Sequence, residues 1–256
     1  MSLKGLVKQS YYYTKNGILL HGDCLEWMKE IPDNSIDMVL ADLPYGTTAC
    51  KWDSIIPLDK LWEQYKRLIK ERGAMIFTAS QPFTSKLISS NYNLFKYEWI
   101  WDKKNISNPF LAKYQPLKQH ESIVVFSKNT CSYYPIMIKR DKPRKYKDKY
   151  GGGEAFNKKG TGEKEYILEE KYPKSIIEIT NAIQKGKIHP TQKPVTLFEY
   201  LIKTYTNENE IVLDNTAGVC TTAIACENLN RKWVCIELDK EYCDKSTERI
   251  KLQLNT

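Results

Sequence analysis

The stretch Ile211-Val-Leu-Asp-Asn-Thr-Ala-Gly-Val-Cys-Thr-Thr222 begins as a short apolar run, turns at Gly218 and passes into a helical pattern that runs to Asn230. A short apolar run bounded by a turn reads as a buried strand, and glycine in the turn lets backbone come close to a ligand. Thr221 or Thr222 is placed to cap the helix, whose first N–H groups then point at a carboxylate bound in the turn. Beyond the helix, Trp233–Leu238 reads as a second strand with Glu237 near its end. In nucleotide-binding α/β folds an acid in this place takes the ribose hydroxyls. Strand, glycine turn, helix, strand and acid together predict a site for an adenosine-containing cofactor. Its candidate residues are Asp214, Thr216, Ala217, Gly218, Thr221, Thr222 and Glu237. The competing reading is an ordinary βαβ unit whose second strand ends in an acid.

Working outward, the same rhythm runs through most of the chain. Strands are predicted at Ile18–His21, Ile36–Ala41, Ala74–Thr78, Tyr97–Trp101 and Ser122–Phe126, and helices at Leu58–Lys70, Phe83–Ser90, Thr196–Tyr205 and Lys240–Leu252. Leu58, Leu61, Trp62, Tyr65, Leu68 and Ile69 form one stripe at helical spacing, as expected of a helix packed on a sheet. Alternating strands and helices predict an α/β fold with a mostly parallel sheet. The rhythm breaks after Phe126. Gly151-Gly152-Gly153 and Lys159-Gly160-Thr161-Gly162 read as flexible turns between short elements, so residues 128–187 are expected to be an insertion, mobile when unbound. Residues 1–127 and 188–256 would form the main domain.

Charge singles out the same segment. Residues 102–187 hold 19 Lys/Arg against 10 Asp/Glu, while the remainder is nearly balanced with 20 against 21. Lys139, Arg140, Lys142, Arg144, Lys145 and Lys147 are interleaved with Tyr133, Tyr134 and Tyr146. Cations alternating with stacking surfaces are the footprint of a nucleic-acid surface, and equally that of a solvated loop. Seven scattered cysteines without a C-x-x-C pair argue against a disulfide framework or a zinc site, and three dispersed histidines suggest no metal centre. They read as small apolar core residues of a reduced protein. No run approaches the roughly 18–20 apolar residues that span a bilayer, and no signal-peptide core is visible. The cytoplasm is the expected location.

Asp42-Leu43-Pro44-Tyr45-Gly46 follows the strand Ile36–Ala41 directly. Pro44 fixes its own φ and pushes Leu43 into extended backbone, making a rigid turn at the carboxyl edge of a sheet. The Asp42 carboxylate and the Leu43 carbonyl can then converge on one small volume with Tyr45 as its wall. Such a site accepts two N–H bonds from a planar amine lying flat on an aromatic ring, as methylation of a nucleobase amine requires. Alone, the string is also that of a plain strand-to-loop turn. A third segment, His189-Pro190-Thr191-Gln192-Lys193-Pro194, precedes the helix at Thr196 and by itself is only an extended helix entry.

Together these segments resemble the amino-methylating DNA methyltransferases of the circularly permuted "beta" arrangement, in which the catalytic motif precedes the cofactor motif. The resemblance covers most of the chain outside 128–187. It includes Gly22-Asp23-Cys24-Leu25, Pro32-Asp33-Asn34-Ser35-Ile36-Asp37, Trp52-Asp53 and the strand around His120-Glu121. It implies a Rossmann-like sheet of seven strands, S-adenosyl-L-methionine as methyl donor and double-stranded DNA as substrate, with 128–187 as target-recognition region. It also implies that Asp23 and Cys24 line the cofactor's adenine and that Lys193 lies near the cofactor pocket. Dimers are common in this family, but no interface is legible in the sequence. The chain departs from the family pattern in three places. Leu43 replaces a second proline, Asn215-Thr216 replace Pro-Phe, and Cys220 stands where glycine is usual, with strain expected if its φ is positive.

The implied reaction is direct transfer to a base flipped out of the duplex. Adenine N6 is favoured over cytosine N4, because related adenine enzymes begin the tetrapeptide with Asp and cytosine enzymes with Ser. Cytosine C5 chemistry needs a Pro-Cys pair, and no cysteine here follows a proline. An RNA or protein amine methyltransferase, and a DNA-binding module that no longer catalyses, stay open as alternatives.

Overall fold

Side chains that alternate between two apolar faces set the frame of this protein. In the computed structural model, which describes residues 3–46, 53–148, 164–181 and 192–255, every strand near the centre of the main sheet is covered on both sides. The elements in chain order are α1 (Leu3–Val7), β1 (Tyr12–Tyr13), β2 (Gly17–His21), α2 (Cys24–Glu30), β3 (Ile36–Ala41), α3 (Leu58–Leu68), β4 (Ile69–Ala79), α4 (Phe83–Ser90) and β5 (Phe95–Asp102). They continue with β6 (His120–Phe126), β7 (Ile138–Asp148), β8 (Lys164–Lys171), β9 (Ile176–Glu178), α5 (Val195–Tyr205), β10 (Ile211–Asp214), α6 (Thr221–Asn228), β11 (Lys232–Glu237) and α7 (Lys240–Leu254).

The chain divides into two compact units, residues 1–134 with 175–256, and residues 135–174. The larger unit holds a sheet in the order β1-β2-β11-β10-β3-β4-β6-β5-β9. Its seven longer strands run parallel from β2 to β4, then antiparallel through β6 to β5, with the short β1 and β9 at the edges. On one face Met38, Leu40, Ile76 and Val125 pack with Leu197 and Leu201 of α5 and Ala223 of α6. On the other, Val39, Ala41, Phe77 and Val124 pack with Met28, Trp62, Tyr65 and Phe83 of α2, α3 and α4. This is the three-layer Rossmann-like arrangement expected, with period-two alternation dividing each strand between two cores.

Three differences from the sequence reading have local causes. Helix α3 ends at Leu68 rather than Lys70, because Ile69 turns extended (φ −73, ψ 135) and pairs with Ile36 as the first residue of β4. Helix α2 was not predicted. It is set by Asp23, whose carboxylate accepts the Leu25 N–H at 2.7 Å as an N-cap. Short elements were expected in 128–187, but β7 and β8 form an antiparallel pair of 11 and 8 residues in the smaller unit. Within that range, residues 128–134 and 175–181 belong to the larger unit. Tyr134 N–H donates to the Thr204 carbonyl at 2.7 Å, and Ile177 pairs with Trp101 and is buried. Among the described residues no helix is long and apolar enough to cross a membrane, and Cys24, Cys131, Cys220, Cys226, Cys235 and Cys243 are unbridged and buried.

Gly17 carries the β2–β11 pairing. A Cβ there would lie 2.3 Å from the Trp233 carbonyl oxygen and the same distance from its indole, so backbone must shift to admit it. Gly17→Ala is expected to lower unfolding stability by about 1–3 kcal/mol in urea titration. An unchanged midpoint would show that the two strands can separate freely here.

Candidate active site

The two turns singled out in the sequence meet at the point where the winding of the sheet reverses. From β3 the chain passes through α3 to β4 on one side, and from β10 it passes through α6 to β11 on the other. β3 and β10 are parallel neighbours, so their carboxyl ends open on one crevice, the ligand position of doubly wound sheets. Thr216 Oγ1 donates to the Asp42 carbonyl at 3.1 Å, joining the turns directly across 174 residues of sequence.

Asp42 is half-buried and held from three directions. Its Oδ1 accepts the Tyr45 hydroxyl at 2.9 Å and the Thr78 hydroxyl, and its Oδ2 accepts Lys193 Nζ at 2.6 Å. A carboxylate has about four acceptor positions. Among the described residues three are taken, leaving one on Oδ2. Tyr45 stacks on Phe83 with ring centroids 5.2 Å apart and planes 21° apart, and Lys193 Nζ stands 5.9 Å from the tyrosine centroid. Burial and the adjacent Asp42 charge push the Tyr45 phenol well up, so it is a donor rather than an anion. Leu43 turns its side chain into the core, and Gly46 closes the turn with φ +67 and its N–H on Asp53 Oδ1 at 2.8 Å. A Cβ at Gly46 would stand 2.7 Å from the Ile55 side chain, and with φ +67 a larger residue is disfavoured there.

Lys193 is buried, and its charge is answered twice. Beyond Asp42, its Nζ lies 3.7 Å from Glu121 Oε2, and Glu121 Oε1 accepts Lys103 Nζ at 3.1 Å. Burial opposes the lysine charge, but the two carboxylates outweigh it and hold its pKa above the usual value. Burial likewise opposes ionisation of Glu121, and Lys193 and Lys103 outweigh it, so its carboxyl is held below the usual range. Asp42, Lys193, Glu121 and Lys103 thus form a row of alternating charges.

On the other side of the crevice, Ala217 N–H donates to the Ile236 carbonyl at 3.0 Å, tying the turn to β11. Gly218 has φ +51, and a Cβ there would meet nothing within 4 Å, so its backbone faces open space. Glu237 accepts the Gly218 N–H on Oε2 at 2.7 Å and the Asp239 N–H on Oε1 at 2.8 Å, and burial raises its pKa. Asp23 and Cys24 stand at the end of β2, beside Glu237 at the end of β11. Asp23 is spent in part on capping α2, and burial pushes the Cys24 thiol up to about 11, so it is neutral.

The expected cap of α6 by Thr221 or Thr222 is not made. Cys220 is the N-cap residue, with left-handed backbone (φ 54, ψ 45) and no side-chain bond to the helix. Thr222 instead donates its hydroxyl to Asp214 Oδ2, and Thr221 Oγ1 accepts Arg249 Nη1 at 3.1 Å. The strain expected at Cys220 from a positive φ is therefore present. Its side chain is fully buried in the core against Cys235.

Residues 36–248 match the DNA methylase family of N6 and N4 methyltransferases. The chain belongs to this family. The type II methyltransferase M.HpaI of Haemophilus parainfluenzae is 25% identical over 252 residues, covering 93% of this chain and 75% of that one. The DNA adenine methyltransferase YhdJ of Escherichia coli K12 is 24% identical, covering 91% and 82%. In fold, M1.HpyAVI in complex with S-adenosylmethionine matches with a TM-score of 0.62 and 23% identity, covering 91% and 99%. Family membership makes the chain a DNA methyltransferase whose methyl donor is S-adenosylmethionine.

Several residues of the methylase crevice were not singled out from the sequence. Thr78, Phe83 and Lys103 sit on separate elements, and nothing local marks them. Glu121 lay in the recognised His120-Glu121 strand without an assigned role. Asn215, noted only as a departure from Pro-Phe, is buried, accepting the Tyr65 hydroxyl at 2.7 Å and placing its amide 3.6 Å from Cys24 Sγ. The basic residues Lys139, Arg140, Lys142, Arg144, Lys145 and Lys147 all fall on β7 of the smaller unit. Lys139, Lys142, Arg144 and Lys145 are exposed, and Arg140 Nε donates to the Glu170 carbonyl at 3.0 Å. His189, Pro190 and Thr191 of the proline loop lie outside the described residues, as does Trp52.

Asp214 gives the crevice a pH signature. Burial raises its pKa to about 7, against the opposing bonds from Thr222 and the Thr216 N–H. The folded chain therefore keeps a proton that the unfolded chain, with an ordinary value of about 3.9, gives up. This group's contribution to stability is full below pH of about 4 and is lost as pH rises through about 7. In urea titrations, wild type is expected to lose stability relative to Asp214→Asn between pH 5 and 8. A difference that does not vary with pH would rule this out.

Proposed function

We propose that this methyltransferase transfers the methyl group to the N6 amine of adenine in double-stranded DNA at a specific sequence, taking the target base out of the duplex to do so. The observation that carries this reading is the acceptor position that the described residues leave on Asp42 Oδ2, in a carboxylate fixed by Tyr45, Thr78 and Lys193 and joined to the Gly218 turn through Thr216. An aromatic amine is a poor nucleophile because its lone pair is delocalised into the ring. When Asp42 Oδ2 and the Leu43 carbonyl accept its hydrogens, the lone pair localises on nitrogen and is aimed out of the ring plane. Pro44 keeps these acceptors in one turn, and Tyr45, backed by Phe83, supplies the wall on which the base lies. Acceptors fixed before the reaction need no reorganisation as charge develops on nitrogen.

The residues across the crevice fit the cofactor. Glu237 is assigned to the ribose hydroxyls, Asp23 and Cys24 to the adenine, and the bare backbone at Gly218 to close approach beside Asp214, Thr216, Ala217, Thr221 and Thr222. Lys193, on Asp42, stands at the border of both sites. When bound, S-adenosylmethionine supplies a sulfonium methyl electrophilic enough for direct attack, so no covalent enzyme intermediate is required. The catalytic turn precedes the cofactor turn in the chain, which supports the circularly permuted arrangement. The exposed cations of β7 are assigned to DNA phosphates, and residues around them to target recognition. A DNA substrate is in keeping with a cytoplasmic location.

Adenine is preferred because the tetrapeptide begins with Asp42, in keeping with the named activity of YhdJ. The family spans N6 and N4 amines, so cytosine N4 is the second reading. Expression in a methylation-deficient host followed by modification-sensitive long-read sequencing should reveal N6-methyladenine at one sequence. N4-methylcytosine, or unmodified DNA, would overturn the assignment. Asp42→Ala is expected to reduce methyl transfer to DNA by at least about 10²–10³-fold, as when a group that stabilises developing charge is removed. Calorimetric binding of S-adenosylmethionine should be largely kept, and retained turnover in this variant would remove Asp42 from its role.

A further inference from the structure

The loop between β5 and β6 holds an apolar surface that the site described so far does not use. Phe110 is 95% exposed and Tyr114 84%, with Ile106, Leu111 and Leu117 each near half exposed. Single exposed apolar residues are ordinary, but five within twelve positions of one loop are not. The loop is also closed on itself. Ser107 N–H donates to the Lys118 carbonyl at 2.9 Å, the Asn108 amide donates to the Pro116 carbonyl at 3.3 Å, and Asn108 Oδ1 accepts the Lys118 N–H. Phe110 lies in the turn Pro109–Leu111, which is tied by Leu111 N–H to the Asn108 carbonyl at 3.0 Å.

Its base is part of the catalytic crevice. β5 is parallel to β3 and β4 through two antiparallel pairings with β6, so its carboxyl end opens on the same edge as Asp42. Lys103, the first residue after β5, bonds Ser107 Oγ and Glu121, each at 3.1 Å, and Glu121 leads through Lys193 to Asp42. Lys118 at the other end bonds the Ser80 hydroxyl just beyond β4. Between residues 103 and 120 there are four lysines and no acidic residue. A loop bonded to itself, with exposed aromatic rings and only positive charges, that starts from the charge row holding Asp42 fits a polyanion with stacked, apolar layers.

We infer that this loop enters the DNA duplex next to the target base and that Phe110 fills the gap the base leaves. Extruding a base costs its stacking and pairing, and an apolar side chain inserted at the step recovers part of the stacking. The cluster is exposed in the free protein because its partner is the base stack. This inference rests on the proposed methylation of duplex DNA and adds the element that opens the duplex.

The test uses a duplex carrying the target sequence found by sequencing, with and without 2-aminopurine at the target position. Phe110→Ala should lower methylation of the fully paired duplex by about tenfold, within the range set by loss of one aromatic stack on a base. It should also lower the 2-aminopurine fluorescence rise that reports extrusion, while Phe110→Trp restores both. On a duplex already mismatched at the target the deficit should shrink to about threefold or less, because the base is no longer paired and extruding it costs less. Equal rates for Phe110→Ala and wild type on paired DNA would overturn the inference alone. So would an equal deficit on paired and mismatched DNA. A wild-type dimer in sedimentation that Phe110→Ala dissociates without change in duplex methylation would give the loop to a protein contact instead. If wild type methylates no DNA, the methyltransferase reading itself fails first, and the two failures are thus distinct.

Discussion

The parallel pairing of β10 with β3, Val212 against Met38 and Leu213 against Val39, is the constraint on which the rest of the site depends. It brings two segments from opposite ends of the chain to one edge of the sheet, and the Thr216–Asp42 bond then locks their turns together. Register here is strongly determined. Met38 and Leu40 face one core, Val39 and Ala41 the other, so a slip of one residue would exchange every side chain between helix layers. The same pairing makes this boundary the winding reversal, because β4 and β11 leave it in opposite directions. The Asp42 turn and the Gly218 turn share a crevice through sheet topology, with no need for closeness in sequence.

Around that crevice the protein keeps charge where charge is expensive. Removing an ion from water costs several kcal/mol even after relaxation, and the loss is offset only if each ion has a well-placed partner. The row Asp42, Lys193, Glu121, Lys103 meets that condition by alternation, each inner member lying between two opposite charges. Its members come from the end of β3, the segment before α5, the start of β6 and the end of β5. One electrostatic arrangement therefore fixes the relation of four segments and holds the Asp42 carboxylate in place. The same row reaches the loop that starts at Lys103, whose Nζ also bonds Ser107 Oγ at 3.1 Å.

The side of the crevice around Gly218 follows a different physical logic. Asp214, Glu237 and Cys24 all have raised pKa values because burial disfavours their charged forms. Each also takes part in backbone or side-chain bonds that shape this side of the crevice. Cys220 takes the left-handed conformation where a glycine would be free of strain, at a cost of about 1–3 kcal/mol. Its buried thiol packs in the core beside Cys235, so the side chain that glycine lacks is used for packing.

Much of the frame was legible in the sequence because periodicity is local. β3, β10 and α4 fall on the predicted residues, and the buried stripe of α3 is the one read from spacing, since alternation and helical spacing are properties of consecutive residues. The turn Asp42–Tyr45 and the turn Asp214–Gly218 were legible for the same reason, because proline and glycine constrain backbone wherever they stand. What the sequence alone could not determine is everything that depends on which distant residues meet. Ile69 reads as helix until β3 offers it a strand partner, and Thr222 reads as a cap until Asp214 is buried beside it. Glu121 and Lys103 carry no local mark, since a charge becomes part of a site only when folding takes it from water and sets an opposite charge beside it. The sequence by itself determined the fold class and the two turns. Tertiary structure decided the charge row, the Thr216–Asp42 lock and the exposed Phe110 loop, because each is a long-range contact, or the absence of one.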